Sequence, residues 1–476
     1  MVRPDFLDVL SDDTALAAAA GSVADLLSHH GVRPGDRVVV SLPNSISSVQ
    51  AYLGCAVLSA IWVGVNPSAP VEEKTRQCEI VAPRVVIGTA DAYVPDGVDL
   101  IAVGDKGFVA GCDSLPPRPD LDAPCAIAFS SGTTGTPKAI VHSRAGVSLA
   151  ATALAATTLR PDDRVGVTLP CSIHNVMIVG PLTCLIAGAT TVLLDGFTAR
   201  DVASKCREQR LTMVRALVPT TVYDLVHDDE IIPDSLASLR EAGTGAAGLA
   251  ETLRDAFEAK FGIRLSGSYG LSEAPAAVCS EDTGMQRRPG SSGTPLPHVS
   301  IAIRDPAGMR LPTEELGEIW VGPASNGPWA GQYRGALGRW VDGGLIPSAG
   351  ASFATGDVGS LDDEGALHVV GRAGDVITRG GVTIAAAELE EIIGEFAGVR
   401  AAAVIGRPHD RLGEQIVAFV QPETGRDLDP AAIRQQAATV LSHGRVPDEV
   451  IVLDALPRNV MGKVARAELP RDGVRE

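Results

Sequence analysis

Lysine is scarce in this chain. Only six of its 40 basic residues are lysine, Lys74, Lys106, Lys138, Lys205, Lys260 and Lys463. Where arginine is used almost everywhere else, each lysine is a candidate for a position that needs a compact, mobile point charge. Positive charge is short overall, since 40 Lys and Arg against 58 Asp and Glu leave a net charge of −18. That balance argues against nucleic acid or an anionic membrane surface as the main partner, and any anionic ligand must meet a local cluster of donors. The eight cysteines, at 55, 78, 112, 125, 171, 184, 206 and 279, form no CxxC pair and no metal-ligand spacing. They read as reduced, buried small residues of a cytoplasmic protein. The opening segment, MVRPDFLDVLSDD, lacks the apolar stretch of a signal peptide. One uncharged run of 19 residues, Val176 to Leu194, approaches membrane-spanning length. Gly180, Pro181, Gly188 and the β-branched run Thr190-Thr191-Val192 divide it into a buried helix, a turn and a strand, so no membrane span is expected.

What is present is globular in character. With 476 residues, 45% hydrophobic and 21% charged, the chain is too long for one core, and two or more domains are expected. Helical stretches at Ala15 to His29 and about 46–60 alternate with strands at Arg37 to Leu42, Arg84 to Ile87, Thr191 to Leu194 and Met213 to Val218. This alternation predicts α/β layers with helices covering mostly parallel sheets. Between about 293 and 371 short strands and Gly/Asp turns take over, with a hairpin around Asp363-Glu364-Gly365. After Gly371-Arg372 a separate α+β unit begins. There Leu389, Ile392, Ile393 and Phe396 fall on one helical face, strands are expected around 401–405, 415–421 and 449–453, and a helix starts at Pro430.

The segment richest in chemistry is Ser130-Ser131-Gly132-Thr133-Thr134-Gly135-Thr136-Pro137-Lys138, directly after the strand-like Ala126 to Phe129. Its glycines let backbone N–H groups converge, its hydroxyls add donors and its lysine adds charge, a combination suited to a polyphosphate. The Walker spacing fails, and Pro137 precedes the lysine.

This loop resembles the phosphate loop of the adenylate-forming superfamily, which includes acyl-CoA synthetases, peptide-synthetase adenylation domains and luciferases. The resemblance continues in order along nearly the whole chain. It takes in Gly31 to Asn44 (GVRPGDRVVVSLPN), Tyr269-Gly270-Leu271-Ser272-Glu273, Gly317 to Val321, Thr355-Gly356-Asp357, Gly371-Arg372 and the closing Pro457 to Lys463. It implies a large N-terminal adenylation domain over 1–371, with layered α/β sheets and a β-rich subdomain. A hinge over 372–375 and a small mobile α+β domain over 376–476 follow.

The implied reaction uses ATP, Mg²⁺ and CoA to convert a carboxylic acid to acyl-AMP and then to acyl-CoA. Nucleotide contacts are implied for Ser130, Ser131, Gly132, Thr133, Thr134, Gly135, Thr136, Lys138, Gly245, Tyr269, Gly270, Ser272, Asp357 and Arg372. Tyr269 offers a flat face to adenine, Ser272 a donor to the α-phosphate, Asp357 an acceptor to the ribose, and Glu273 a hard oxygen ligand to Mg²⁺. By the same resemblance Lys463 bridges the attacking carboxylate and the α-phosphate, while Gly380 and Gly381 line the CoA tunnel. The hinge position, usually Asp or Lys, is Gly374 here.

For the acid, the segment Leu169 to Asn175 holds no Asp to receive an ammonium group. His174 resembles the histidine that related synthetases set beside the substrate carboxylate, one residue further from Pro170 than usual. Gly270 stands where enzymes of the smallest acids carry Trp, which implies an open pocket floor. With Met177, Val179, Leu182, Ala242, Gly243, Gly245 and Leu271 as lining beside His174, the expected acid is apolar and medium to large, either aryl, alicyclic or fatty. A free-standing carrier protein is an alternative acceptor. A non-catalytic nucleotide-binding protein is the alternative of another class, and a monomer or a homodimer is equally compatible.

Overall fold

The structure, a computed structural model, describes residues 5–10, 12–104, 107–108, 120–130, 137–245, 249–281, 284, 286–373, 376–379, 382–409, 411–458 and 464–470. Two large sheets take their strands from residues 37–295, with one hairpin at 338–347 added to the first. The first orders its eight strands Gly344–Pro347, Gly338–Val341, Lys138–Ser143, Pro124–Ser130, Ile61–Gly64, Arg37–Ser41, Val85–Gly88 and Asp99–Ala102. From Pro124–Ser130 to Asp99–Ala102 the strands are parallel, and the others are added antiparallel. The run Val38-Val39-Val40 is buried on both faces, as a central parallel strand requires. Helices Thr14–His29 and Ile46–Leu58 cover one face. Gly54 lets them meet closely, because a Cβ there would lie 2.5 Å from Val23.

The second sheet orders its strands Thr294–Pro295, Cys279–Ser280, Leu265–Tyr269, Glu241–Thr244, Met213–Leu217, Arg164–Val167 and Thr190–Leu193, the last five being parallel. A four-stranded antiparallel sheet follows, made of Val299–Arg304, Gly317–Pro323, Phe353–Leu361 and Leu367–Arg372. It contains the expected hairpin, although its first arm starts earlier, at Phe353. The last sheet lies within 376–452, and helix Ala386–Gly394 buries Leu389 and Ile393 against it. Layered α/β sheets, a β-rich part and a small α+β unit are thus all present.

The uncharged run from Val176 resolves into helix His174–Met177, a π-turn Ile178–Leu182, helix Thr183–Ala187, a left-handed Gly188 and strand Thr190–Leu193. The wide turn has a local cause, since Pro181 lacks an N–H and the Thr183 hydroxyl donates to Ile178 O at 2.6 Å. Among the described residues no helix is long and apolar enough to cross a membrane, and the seven described cysteines are free and buried.

Three of the lysines have structural work. Lys260 Nζ donates to the carbonyls of Leu225, Val226 and Asp228 at 2.8–3.1 Å, closing the end of helix Pro219–His227 with its three donors. Lys74 donates to Pro67 O, and Lys205 faces Asp195 and Glu208. Lys106 and Lys463 lie outside the described residues.

His298, 1% exposed beside Trp329 and Tyr333, has no partner for either ring nitrogen among the described residues. Burial pushes its pKa down to about 4. The unfolded chain therefore binds a proton near pH 6.5 that the folded chain refuses until about pH 4, so stability is lost as pH falls through that window. Replacing His298 by Phe should be near neutral at pH 7 and should stabilise the protein by about 2 kcal/mol at pH 5. Calorimetric Tm values of both proteins across pH 5–7.5 check this, and parallel curves would show that His298 does accept its proton in the fold.

Candidate active site

In open parallel sheets, ligands bind beyond the carboxyl ends of the strands where the strand order reverses. In the first sheet that point is beside Arg37–Ser41, flanked by Ile61–Gly64 and Val85–Gly88. In the second it is beside Arg164–Val167, flanked by Thr190–Leu193 and Met213–Leu217. The two points face each other across one side chain. Asn44, just past Ser41, donates to Leu169 O at 3.0 Å and accepts from Cys171 N at 2.7 Å, in the loop that follows Val167. His174 and Asn175 come next on that loop.

The phosphate-loop segment begins and ends on two antiparallel strands, Pro124–Ser130 and Lys138–Ser143. Ser130 and Lys138 are cross-strand partners on them, Lys138 is exposed, and residues Ser131, Gly132, Thr133, Thr134, Gly135 and Thr136 lie outside the described residues. The second strand docks the Tyr269-to-Glu273 segment through its backbone. His142 Nε2 lies 2.8 Å from Ser272 O, so that nitrogen carries the proton and donates. Ala336 N donates to Glu273 O at 2.9 Å, and Leu337 N donates to Val141 O at 2.8 Å. Ser272 and Glu273 are therefore held against the hairpin, with both side chains half-buried.

A third segment joins from the four-stranded sheet. Asp357 and Arg372 are cross-strand partners, with Arg372 Nε 2.8 Å from Asp357 Oδ1. Tyr269 donates its hydroxyl to Asp357 Oδ2 at 2.5 Å. Burial first, and the Asp357 carboxylate second, hold the Tyr269 hydroxyl far above its usual pKa, so it remains a donor. Thr355 Oγ1 accepts from Asp357 N at 3.0 Å, which fixes the turn at left-handed Gly356. Tyr269, 88 residues earlier in the chain, and Arg372, on the neighbouring strand, thus converge on one carboxylate.

His174 is 2% exposed. Its Nε2 lies 3.3 Å from the Tyr52 hydroxyl, and its ring is within 5.0–6.0 Å of His142, Tyr52 and Trp62. Burial, reinforced by His142, holds His174 well below the usual imidazole pKa, and burial takes His142 to about 4. Both imidazoles are neutral at physiological pH.

Several lining expectations meet a different geometry. A Cβ on Gly270 would stand 2.7 Å from Ala276 O and 3.2 Å from Ala277 Cα, so the bare position accommodates its own returning loop and leaves no open pocket floor in that direction. Met177 and Leu182 are fully buried in the core over the first helices, and Ala242 is fully buried in the core of the second sheet. Leu271 is 6% exposed within the cluster under the four-stranded sheet. Gly243 differs, since a Cβ there meets nothing nearer than Val214 O at 3.5 Å, and Gly245 faces Ser268 Oγ at 3.0 Å. Gly374, Gly380, Gly381 and Lys463 lie outside the described residues.

Sequence reasoning overlooked Asn44, Asn175, His142 and the left-handed Ala216 and Ala276, both at positive φ. Asn44 stands inside a motif already singled out, but its partners are backbone groups about 125 residues away, which no spacing rule marks.

Among the described residues no three His, Cys, Asp or Glu gather into a metal cage. A lone half-buried Glu273 beside a phosphate-loop hairpin fits Mg²⁺ that arrives on ATP, keeps its waters and needs only one or two protein carboxylates.

Comparison with known proteins identifies relatives along nearly the whole chain. The AMP-binding enzyme family matches residues 14–328, and the AMP-binding enzyme C-terminal domain matches 388–463. The chain is 29% identical to the indoleacetate–CoA ligase of Aromatoleum aromaticum, over 96% of this chain and 92% of the relative. It is 30% identical to a long-chain-fatty-acid–CoA ligase of Mycobacterium tuberculosis, over 97% and 93%. Among solved structures, the o-succinylbenzoate CoA synthetase of Bacillus subtilis in complex with its acyl-adenylate superposes with a TM-score of 0.82. The identity is 25%, over 95% of this chain and 92% of that one.

Proposed function

The chain belongs to the AMP-binding enzyme family, and from that premise we propose that it is an AMP-forming acid:CoA ligase acting on an apolar aryl, alicyclic or fatty acid. The observation that carries this reading is the convergence of Tyr269, Asp357 and Arg372 beside a turn whose Ser272 and Glu273 are docked on the phosphate-loop hairpin.

In the first half-reaction a carboxylate oxygen attacks the α-phosphorus of ATP and the bond to pyrophosphate breaks. No base is required, because the nucleophile is already ionised. Tyr269, its hydroxyl tied down, offers its ring to adenine. Asp357 uses the lone pairs left by Tyr269 and Arg372 for the ribose hydroxyls, and Ser272 donates to the α-phosphate. Glu273 would hold the Mg²⁺ that comes with ATP, and the ion would supply positive charge against the phosphates. Lys463 steadies the developing charge between carboxylate and phosphorus. In the second half-reaction the CoA sulfur attacks the acyl carbon, its proton is lost, and AMP leaves with the former carboxylate oxygen.

The small unit beyond 376 is proposed to move about Gly374 between these steps, with Gly380 and Gly381 beside the pantetheine. Glycine there allows the backbone change and favours neither orientation. The acid class rests on the absence of Asp from Leu169 to Asn175 and on the acids named for the relatives. A screen of acid-dependent pyrophosphate release over aryl, alicyclic, fatty and small polar acids, with and without CoA, tests the proposal. Turnover of an apolar acid with acyl-CoA as product is expected. Preference for acetate, or transfer only to a carrier protein, would refute the substrate or the acceptor.

A further inference from the structure

Asn175 is adjacent to His174 on the acid side of the site, yet its side chain serves the phosphate side. Its Nδ2 lies 3.1 Å from Leu271 O, 3.2 Å from Ala276 O and 3.5 Å from Ala274 O, and its Oδ1 accepts from Ala276 N at 3.2 Å. One amide thus closes the loop from Leu271 to Ala276, which carries Ser272 and Glu273. That loop needs holding, because Ala276 sits at φ +63°, a conformation that L side chains rarely adopt. Its carbonyl also occupies the space a Cβ on Gly270 would need. The other tethers, His142 on Ser272 O and Ala336 N on Glu273 O, reach only the first half of the loop. The returning half, 274–276, is tied to the rest of the site by Asn175.

We propose that Asn175 is a positioning residue for nucleotide and metal use in adenylation, holding the Ser272–Glu273 turn in register with the phosphate hairpin. The proposal rests on the ligase reading above. Because Asn175 and His174 share one helical turn, any shift of that turn on acid binding reaches the Glu273 loop directly through this amide. The thioester step needs acyl-AMP already formed and makes no demand on Glu273.

Two variants test it. Asn175→Asp keeps the shape and the acceptor for Ala276 N but removes the donors to the three carbonyls. Asn175→Ala removes both, and adding Ala276→Gly to it relieves the positive φ that the amide restrains. Calorimetric titration with Mg²⁺ and α,β-methylene-ATP should show Kd weakened about tenfold in each single variant, the equivalent of a lost buried hydrogen-bond partner. Half-saturating ATP for acid-dependent pyrophosphate release should rise in parallel, while acyl-CoA formation from saturating acyl-AMP survives. Ala276→Gly should restore much of the loss in the Asn175→Ala background. An unchanged Kd in a folded variant, equal loss of both half-reactions, or no recovery on adding Ala276→Gly would each overturn the assignment. Should Asn175→Ala not fold, Asn175→Asp carries the comparison of Kd and half-reactions by itself. Absence of acid-dependent pyrophosphate release in the unaltered protein would sink the ligase reading, and the calorimetric comparison would still decide the role of Asn175.

Discussion

Replacing Lys463 by alanine is expected to slow acyl-AMP formation by a factor on the order of 10²–10³, the usual loss when a preorganised charge at the reacting centre is removed. Thioester formation from supplied acyl-AMP should survive, because the lysine is assigned to one half-reaction only. The family match to the C-terminal unit ends at this residue, and it is one of six lysines in the chain. Pyrophosphate release and acyl-AMP consumption, measured separately, check the split. Equal loss of both would contradict a small domain that presents different faces to the two steps.

Exchanging Glu273 for glutamine should cost about 10² in adenylation, at the lower end of the same range of electrostatic losses. The swap keeps the shape and leaves the backbone tie between Glu273 O and Ala336 N untouched, so the loss would belong to the carboxylate. The variant should also need more Mg²⁺ for half-maximal rate. Asp357→Asn should act differently. The carboxylate is shared with Tyr269 and Arg372, so the change loosens the nucleotide platform and should appear mainly in KM for ATP. A Glu273→Gln enzyme with unaltered Mg²⁺ dependence would remove Glu273 from the metal.

These expectations rest on residues that differ greatly in how plainly the sequence marks them. Strand and helix positions are readable where burial dictates residue type, as in the unbroken run Val38-Val39-Val40 of a strand covered on both faces and at Leu389 and Ile393 on one helical face. Tyr269, Asp357 and Arg372 were readable as separate motifs, but the sequence does not state that one carboxylate joins them. Gly270 misled because a missing side chain reads as open space, whereas here it yields to the carbonyl of Ala276. Met177, Leu182 and Ala242 have the apolar character of a pocket wall, and that same character placed them in the core. The asparagines at 44 and 175 were least visible, since an amide that grips distant backbone carries no spacing signature. Scarcity of lysine was an uneven guide. Lys260 turned out to close a helix end, a task for which three donors on a flexible stem are equally suited.

The central claim is that the acid is activated by attack of its own carboxylate oxygen on the α-phosphorus of ATP. Turnover of an acid labelled with ¹⁸O in both carboxylate oxygens, in the presence of ATP, Mg²⁺ and CoA, tests this directly by mass spectrometry of the products. The account predicts AMP carrying one labelled oxygen for each acyl-CoA formed, with unlabelled pyrophosphate. Unlabelled nucleotide with the label in inorganic phosphate would indicate an acyl-phosphate route and contradict it.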